Sequence, residues 1–249
     1  EWDGKHYRAF KKIEGIALDV LTNEDQAKEA AHQFGQFTAS LNEFPIGALK
    51  VTIPQFHDLA LRYHQFEQAL MHGDAKRMET AKDAILFLQS HQSYVKKWLE
   101  FTSNKEAHLR VTHHDTKISN VLFKDEEAIC VIDLDTTMPG YFISDVGDMC
   151  RTYLCPVNEA CQDLDQIKIL PERWTAIQNG YLKAMGEFLT PFEKDHFAFS
   201  GQSIIYMQAL RFLTDYLQLD PYYKVDRPSQ NLDRTLNQNQ LLIEFNQLV

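Results

Sequence analysis

The chain has 249 residues, of which 44% are hydrophobic, and 25 basic against 35 acidic side chains give it a formal charge of −10. That length and apolar content suit one large or two modest domains with a real core, and exclude a disordered chain. The acidic mean field argues against nucleic acid or an anionic membrane as a partner.

In chain order, Glu1 to Phe10 lack the basic and apolar regions of a signal peptide, and no apolar run reaches bilayer length, so a soluble cytoplasmic protein is expected. Lys5 to Ile13 alternate loosely, as a strand leading out of something upstream would. Asn23 or Thr22 can cap a helix in which Ala27, Ala30, Ala31, Phe34, Phe37, Thr38 and Leu41 recur at helical spacing. Leu59–Met71, Asp74–Gln89 and about Gln92–Phe101 predict further helices. Then the texture changes. Leu109–Thr112, Asn120–Phe123 and Ala128–Ile132 are short β-prone runs, the last two joined by the polar turn Lys124–Glu127. After Pro139-Gly140 the helical pattern returns, with candidates at Pro171–Phe188, Pro191–Leu219 and Asn231–Leu248. Cys130, Cys150, Cys155 and Cys161 form no CxxC pair and read as reduced thiols.

The chemistry concentrates in the β island. His113-His114-Asp115-Thr116-Lys117-Ile118-Ser119-Asn120 has the pattern HxDxxxxN. Phosphoryl transfer to a hydroxyl needs a carboxylate that orients the acceptor and takes its proton, and an oxygen ligand for Mg²⁺; Asp115 and Asn120 fit these tasks. In Cys130-Val131-Ile132-Asp133-Leu134-Asp135 an acidic residue ends an apolar strand. A hairpin joining the two segments would bring Asp133 alongside Asn120, giving the hard oxygen set that Mg²⁺ prefers. Asp135, on the same strand face if extension persists, could hold a second ion or a metal-bound water. His113 reads as a packed scaffold residue, whereas a surface His114 could touch substrate or solvent. Lys117 could be simply solvated.

These two motifs resemble the catalytic loop and metal motif of the aminoglycoside phosphotransferase and choline kinase superfamily, whose members have protein-kinase-like folds. Three further stretches look like the bacterial N-acetylhexosamine 1-kinases. They are Ile132 to Gly140 running on to Asp145-Val146-Gly147-Asp148, Arg211-Phe212-Leu213-Thr214-Asp215-Tyr216-Leu217 with Asn231-Leu232-Asp233-Arg234, and Phe34-Gly35-Gln36-Phe37 with Ile53-Pro54-Gln55-Phe56-His57. The resemblance implies Asp115 as catalytic base, Lys117 near the transferred phosphoryl group, and Asn120 and Asp133 as ligands of the Mg²⁺ that accompanies ATP. It places Arg211 and Tyr222 on the sugar, and makes Asp145 a brace for the catalytic loop. Without it, Arg211 would equally read as paired with Asp215 or snorkelling, and Tyr222-Tyr223 as a packed turn.

The implied fold is mainly α (α+β), a kinase-like C-terminal lobe in which a helical bundle carries a small β hairpin. No GxGxxG occurs among the ten glycines. The resemblance therefore implies that residues 1–13 are the remnant of the last strand and hinge of an N-terminal lobe, that residues 14–249 are the C-terminal lobe, and that the chain as written is a poor kinase without the rest. The expected reaction is ATP-dependent phosphorylation of the anomeric hydroxyl of an N-acetylhexosamine, with a small sugar and a nucleotide as partners. The alternatives are an aminoglycoside, choline or other amino-alcohol kinase, whose cationic acceptor the net charge would suit, and a non-catalytic binding module. A protein kinase fits less well, because the short stretch from Asp133 to Asp145 leaves little room for an activation loop.

Overall fold

A computed structural model describes residues 3–5, 7 and 9–249. The first strand, β1, is Ile16–Ala17. The expected strand over Lys5–Ile13 is not formed: its described residues show only an isolated bridge at Lys5, and His6 and Arg8 lie outside the described residues. Helix α1 (Glu24–Ser40) begins at the expected cap, where the Asn23 side chain accepts the Gln26 N–H at 2.9 Å. Glu24 and Asp25 then sit in its electropositive first turn. Asp58 and Asp74 cap α2 (Leu59–His72) and α3 (Ala75–Thr80) in the same way. The helix expected over Asp74–Gln89 is interrupted at Ala81, so α3 is followed by a separate α4 (Lys82–Ser90), and α5 (Ser93–Ser103) completes this half.

Two small sheets follow. Strands β3 (Val121–Lys124) and β4 (Glu127–Val131) form the expected hairpin, and β1 adds antiparallel to β3. Asp125 and Glu126 at the hairpin tip both have positive φ, the geometry of a two-residue turn matched to strand twist. Separately, β2 (Arg110–Thr112) pairs antiparallel with β5 (Met138–Gly140), a strand that sequence periodicity did not reveal.

Helix α6 (Phe142–Tyr153) is buried along almost its whole length and was also not foreseen, because Ser144, Asp145 and Asp148 break its apolar pattern. It is followed by α7 (Pro171–Met185), the short α8 (Pro191–Asp195), α9 (Phe197–Leu217) and α10 (Gln230–Leu248); a break at His196 divides the helix expected over Pro191–Leu219. Central α9 is buried on nearly every side and is flanked by α2, α6 and α10, while α1 lies along α7. The buried Arg110 forks onto Glu193 through contacts of 2.6 and 2.9 Å, and Glu193 also closes the capping box of α8. Strand β2 is thereby fastened to the helical bundle. The four cysteines are unpaired, as expected. Among the described residues no helix is long and apolar enough to cross a membrane.

The approach of α6 to α9 depends on Gly147. A Cβ there would fall 2.3 Å from both the Ser200 carbonyl oxygen and Ile204 Cγ1. Gly147→Ala therefore forces the helices apart, and we expect a loss of about 1–3 kcal/mol, the usual cost of overpacking. Urea unfolding measures it; an unchanged midpoint would show that α6 can shift without penalty.

Candidate active site

Segment 113–120 has little regular structure, and its backbone polar groups are taken up by side chains of α6. Asp145, wholly buried, accepts the His113 N–H through Oδ2 at 3.0 Å and the His114 N–H through Oδ1 at 2.7 Å. Asp148 Oδ2 accepts the Thr116 N–H at 2.8 Å, while its Oδ1 accepts from Arg151 Nε and Nη2 at 3.1 and 2.9 Å. Thr116 Oγ1 donates to the Asp145 carbonyl at 2.8 Å, and the Tyr153 hydroxyl donates to the Thr116 carbonyl at 2.5 Å. A loop held at this many points is rigid. Burial pushes the Asp145 carboxyl above its ordinary pKa, while the neighbouring His114 and the His113 N–H pull it back.

His113 is fully buried and occupied at both nitrogens. Its Nε2 donates to the Ile132 carbonyl at 2.9 Å and its Nδ1 accepts the Asp115 N–H at 3.3 Å, which fixes the neutral Nε2–H tautomer. Phe34 and Phe37 meet the ring edge-on at centroid distances of 5.1 and 6.0 Å. The imidazole thus ties the Asp115 loop to the residue just before Asp133.

Asp115 is partly exposed and asymmetrically bonded. Its Oδ2 accepts from Lys117 Nζ at 2.9 Å and from Asn120 Nδ2 at 2.9 Å, and Asn120 Nδ2 also donates to the Asp115 carbonyl at 2.8 Å. Among the described residues Oδ1 accepts nothing, which leaves one carboxylate oxygen facing outward with a lone pair to use. The same bonds turn the Asn120 amide so that its nitrogen is spent and its oxygen is not.

The hairpin brings the backbone at Asp133 next to that of Asn120. The Val121–Val131 pairing continues into an Ile132 N–H bond to the Asn120 carbonyl at 2.9 Å. Asp133 then takes a left-handed conformation, with φ and ψ both 61°, and its side chain is exposed, without a hydrogen bond or ion pair among the described residues. For a residue other than glycine that is a strained position, of the kind found at functional sites. The premise for Asp135 needs correction: extension does not persist past Asp133, and Asp135 lies in a one-turn 3₁₀ segment over Leu134–Thr136. The unbonded amide oxygen of buried Asn120 and the exposed carboxylate of Asp133 are the hard oxygen donors that Mg²⁺ prefers. Among the described residues, no cluster of three or more acidic, histidine or cysteine side chains offers another metal site. Beside Asp133 lies a cleft of about 440 Å³ walled mainly by Phe10, Ile13, Leu122 and Ile132, apolar enough for a flat base.

His114, which the sequence left open between substrate and solvent, does not lie at the surface. It is buried with φ at +65°, and its Nε2 lies 2.8 Å from Thr112 Oγ1. Because that hydroxyl donates to the Met138 carbonyl at 3.1 Å, His114 Nε2 carries the proton, and Nδ1 accepts from His57 Nδ1 at 3.5 Å. Gly140 makes room for the ring, since a Cβ there would sit 2.5 Å from His114 Cε1. Burial lowers the pKa of both imidazoles, further for His57, where His114 and Arg211 add to it. Both are therefore neutral at neutral pH.

From His114 a chain of rings leads to Arg211. His57 stacks on Phe56 at 4.6 Å, and the Arg211 guanidinium lies 5.5 Å from the Phe56 ring centre and 5.8 Å from that of Tyr222. A hollow of about 320 Å³ lined by His114 and His57 shares Ile53 and Phe56 with a second, of about 400 Å³, lined by Arg211, Tyr222 and Tyr223. The possible Arg211–Asp215 pair is absent. Asp215 instead accepts the Tyr222 and Tyr223 N–H groups at 2.8 and 2.9 Å and an Asn231 amide bond at 3.0 Å, holding the turn that presents both rings.

Asp148, His57 and Arg62 were given no role from sequence, and Asp215 was read only as a possible partner of Arg211. Asp148 alone carried a usable signal, as a second acid one helical turn after Asp145 in the interior of an apolar stretch.

The sequence matches the family described as "Phosphotransferase enzyme family" over residues 2–176. Among solved structures, an ethanolamine kinase from Plasmodium vivax superposes with a TM-score of 0.53 at 15% identity, covering 98% of this chain and 68% of that one. A choline kinase from Cryptosporidium parvum gives a TM-score of 0.44 at 15% identity over 95% of this chain and 68% of its own. The ADP-bound aminoglycoside phosphotransferase APH(2'')-Ib gives 0.46 at 13% identity over 94% and 71%. The first of these bears out the kinase-like, mainly helical fold.

Proposed function

The chain belongs to the phosphotransferase enzyme family, and from that premise we propose that it provides the catalytic loop and acceptor site of an ATP-dependent small-molecule kinase acting on the anomeric hydroxyl of an N-acetylhexosamine. The observation that carries the catalytic part is the Asp115 carboxylate, whose Oδ2 is immobilised by Lys117 and Asn120 while Oδ1 is left open. Oδ1 accepts the hydrogen bond of the acceptor hydroxyl and aligns its oxygen with the γ-phosphorus. The new C1–O–P bond forms as the bond to the ADP oxygen breaks, and the hydroxyl proton passes to Oδ1 late, since little base strength is needed in a loose transition state.

Lys117, 2.9 Å from Asp115 Oδ2, supplies positive charge where the transferred oxygens would pass. Asn120 and Asp133 would hold Mg²⁺, which when bound neutralises phosphate charge. The apolar cleft beside Asp133 suits the base of the nucleotide. Asp145 and His113 keep the loop in register, and His114 with His57, Arg211 and Tyr222 lines the acceptor hollow.

Local charge favours a sugar over an amino alcohol. The net charge of −10 would draw in a cation, but the acceptor hollow presents Arg211 and Arg62, and its one carboxylate, Asp215, is consumed by backbone N–H groups. A quaternary ammonium would meet guanidinium groups there. Acceptor profiling of the full-length protein by ³¹P NMR tests the reading: N-acetylglucosamine or N-acetylgalactosamine should yield a 1-phosphate, and choline, ethanolamine and aminoglycosides should not. Turnover of choline with none of the sugars would sink it.

A further inference from the structure

The larger hollow contains more positive charge and more unused hydrogen-bond donors than a neutral sugar needs. Arg62 and Arg211 both line it, and neither makes an ion pair among the described residues. The Arg62 guanidinium is held from one side, with Nη1 on Gln65 Oε1 at 3.0 Å and Nη2 on the Phe56 and Gln55 carbonyls at 3.0 and 3.3 Å. Its buried Nε has no partner, and neither does the buried Thr214 Oγ1 on the same wall. Arg211 uses a single donor, Nη1 to Gln208 Oε1 at 3.1 Å. Asp215, the only acidic side chain on the lining, has its oxygens committed to the Tyr222, Tyr223 and Asn231 nitrogens.

Two guanidinium groups facing one cavity repel each other, and an unbonded buried N–H or O–H is costly. Burial, and after it the neighbouring Arg211, lower the pKa of Arg62 against a partial offset from Tyr223, Tyr222 and Asp58. By contrast, Arg151 is balanced by Asp148 and Glu159, and Arg77 by Asp220. Arg173 and Arg234 also lack an acidic partner among the described residues, but they lie off this hollow, the place where two such guanidinium groups meet. The buried Arg62 Nε is a donor and the buried Thr214 hydroxyl can act as one, so a single acceptor can satisfy both, and an anion also offsets the charge.

We propose that the cavity between Arg62, Arg211 and Thr214 is an anion subsite that takes the phosphate or carboxylate of an acidic sugar, so that the acceptor class is hexoses and hexosamines bearing a negative group away from the reacting hydroxyl. The acceptor part of this rests on the kinase reading above; the anion site itself does not. A planar guanidinium grips two oxygens of such a group at once, and the centre of the half-buried Tyr223 ring lies 5.5 Å from that of Arg211. Position in the fold sets the order: the negative group sits beyond the shared Phe56 wall, and the sugar ring extends past His57 toward the Asp115 loop.

The test is direct binding to the chain without ATP, by isothermal titration, of N-acetylglucosamine 6-phosphate, glucuronate, N-acetylglucosamine and inorganic phosphate. The acidic sugars should bind at least tenfold more tightly than the neutral one, and Arg211→Met, which breaks one side-chain hydrogen bond and the guanidinium contacts with the Phe56, Tyr222 and Tyr223 rings, should remove the difference. Arg62→Met should do the same, with circular dichroism confirming the fold, since this residue also holds two backbone carbonyls. Equal affinity for neutral and acidic sugars, or an advantage that survives both substitutions, overturns the proposal. Inorganic phosphate binding as tightly as the sugar phosphate overturns its acceptor part, leaving a site for the free ion. An Asp115→Asn protein should keep the preference for acidic over neutral sugars, so a failure of the anion site, read as that ratio, is separable from a failure of the catalytic assignment, read in turnover.

Discussion

Replacing Asp115 with asparagine in the full-length protein lowers kcat by roughly 10²–10⁴-fold, the range contributed by a positioned acid or base, and leaves the fold intact. The two halves of this expectation have separate physical grounds. Asparagine has the same shape, and the Asn120 amide retains its bond to the main-chain carbonyl of residue 115, at 2.8 Å in the present structure. The position is partly exposed, so no charge is stranded in the interior, and the change in stability should stay within about 0.5 kcal/mol. What is lost is the open oxygen. An amide can present its oxygen either to Lys117 and Asn120 or to the acceptor, and the competing interactions favour the former. If the proton moves late, the substitution removes alignment more than base strength, and the acceptor KM should change little while kcat collapses. Single-turnover kinetics with matched thermal melts separate these effects. Wild-type turnover in the variant would remove Asp115 from the chemistry and favour a binding module.

How much of this was legible in the sequence depends on the range of the interactions involved. The hairpin was readable because β-prone runs and the polar turn between them are local, and its register then fixed Asp133 beside Asn120 without further information. The strand β5 was not, because Met138-Pro139-Gly140 has no strand-like composition and exists by virtue of pairing with Arg110–Thr112. Likewise α6 is a helix through burial against α9, against a local pattern broken by buried Asp145 and Asp148. His114 was left open for a related reason: exposure of one loop residue depends on the distant His57, Thr112 and Gly140 that enclose it. The Asp215 role is of the same type, since an acid four residues after an arginine on a helix normally signals an ion pair. Only the chain's return at Leu219 and Asp220, both in left-handed conformation, brings competing N–H donors to that carboxylate.

Asp145→Asn should cost nearly as much activity as a change at the reacting atoms, although residue 145 touches neither substrate nor phosphate. Each Asp145 oxygen accepts one backbone N–H, from His113 and from His114. Asparagine supplies one acceptor and turns an NH₂ toward the other donor, leaving a buried N–H unbonded and opposed by a second donor. An unsatisfied buried donor costs about 1–3 kcal/mol, which for a protein of this size lowers Tm by roughly 2–12 °C. The catalytic loss follows from geometry: His114 is held in a left-handed conformation, and releasing its N–H lets the peptide relax and carries Asp115 with it. A displacement of about 1 Å is enough to cost on the order of 10²-fold in a reaction that depends on alignment. Positioning and mere instability differ in what they predict. If Asp145 only stabilises the fold, activity per folded molecule at low temperature is unchanged. If it positions Asp115, kcat remains depressed well below the new Tm, while nucleotide affinity, which the proposed function assigns to the separate cleft beside Asp133, is retained. Glutamate should not rescue it, because residue 145 is wholly buried and one added methylene has no space to occupy. Full kcat in Asp145→Asn at a temperature where the protein is folded would show that Asp148, through the Thr116 N–H, suffices to hold the loop.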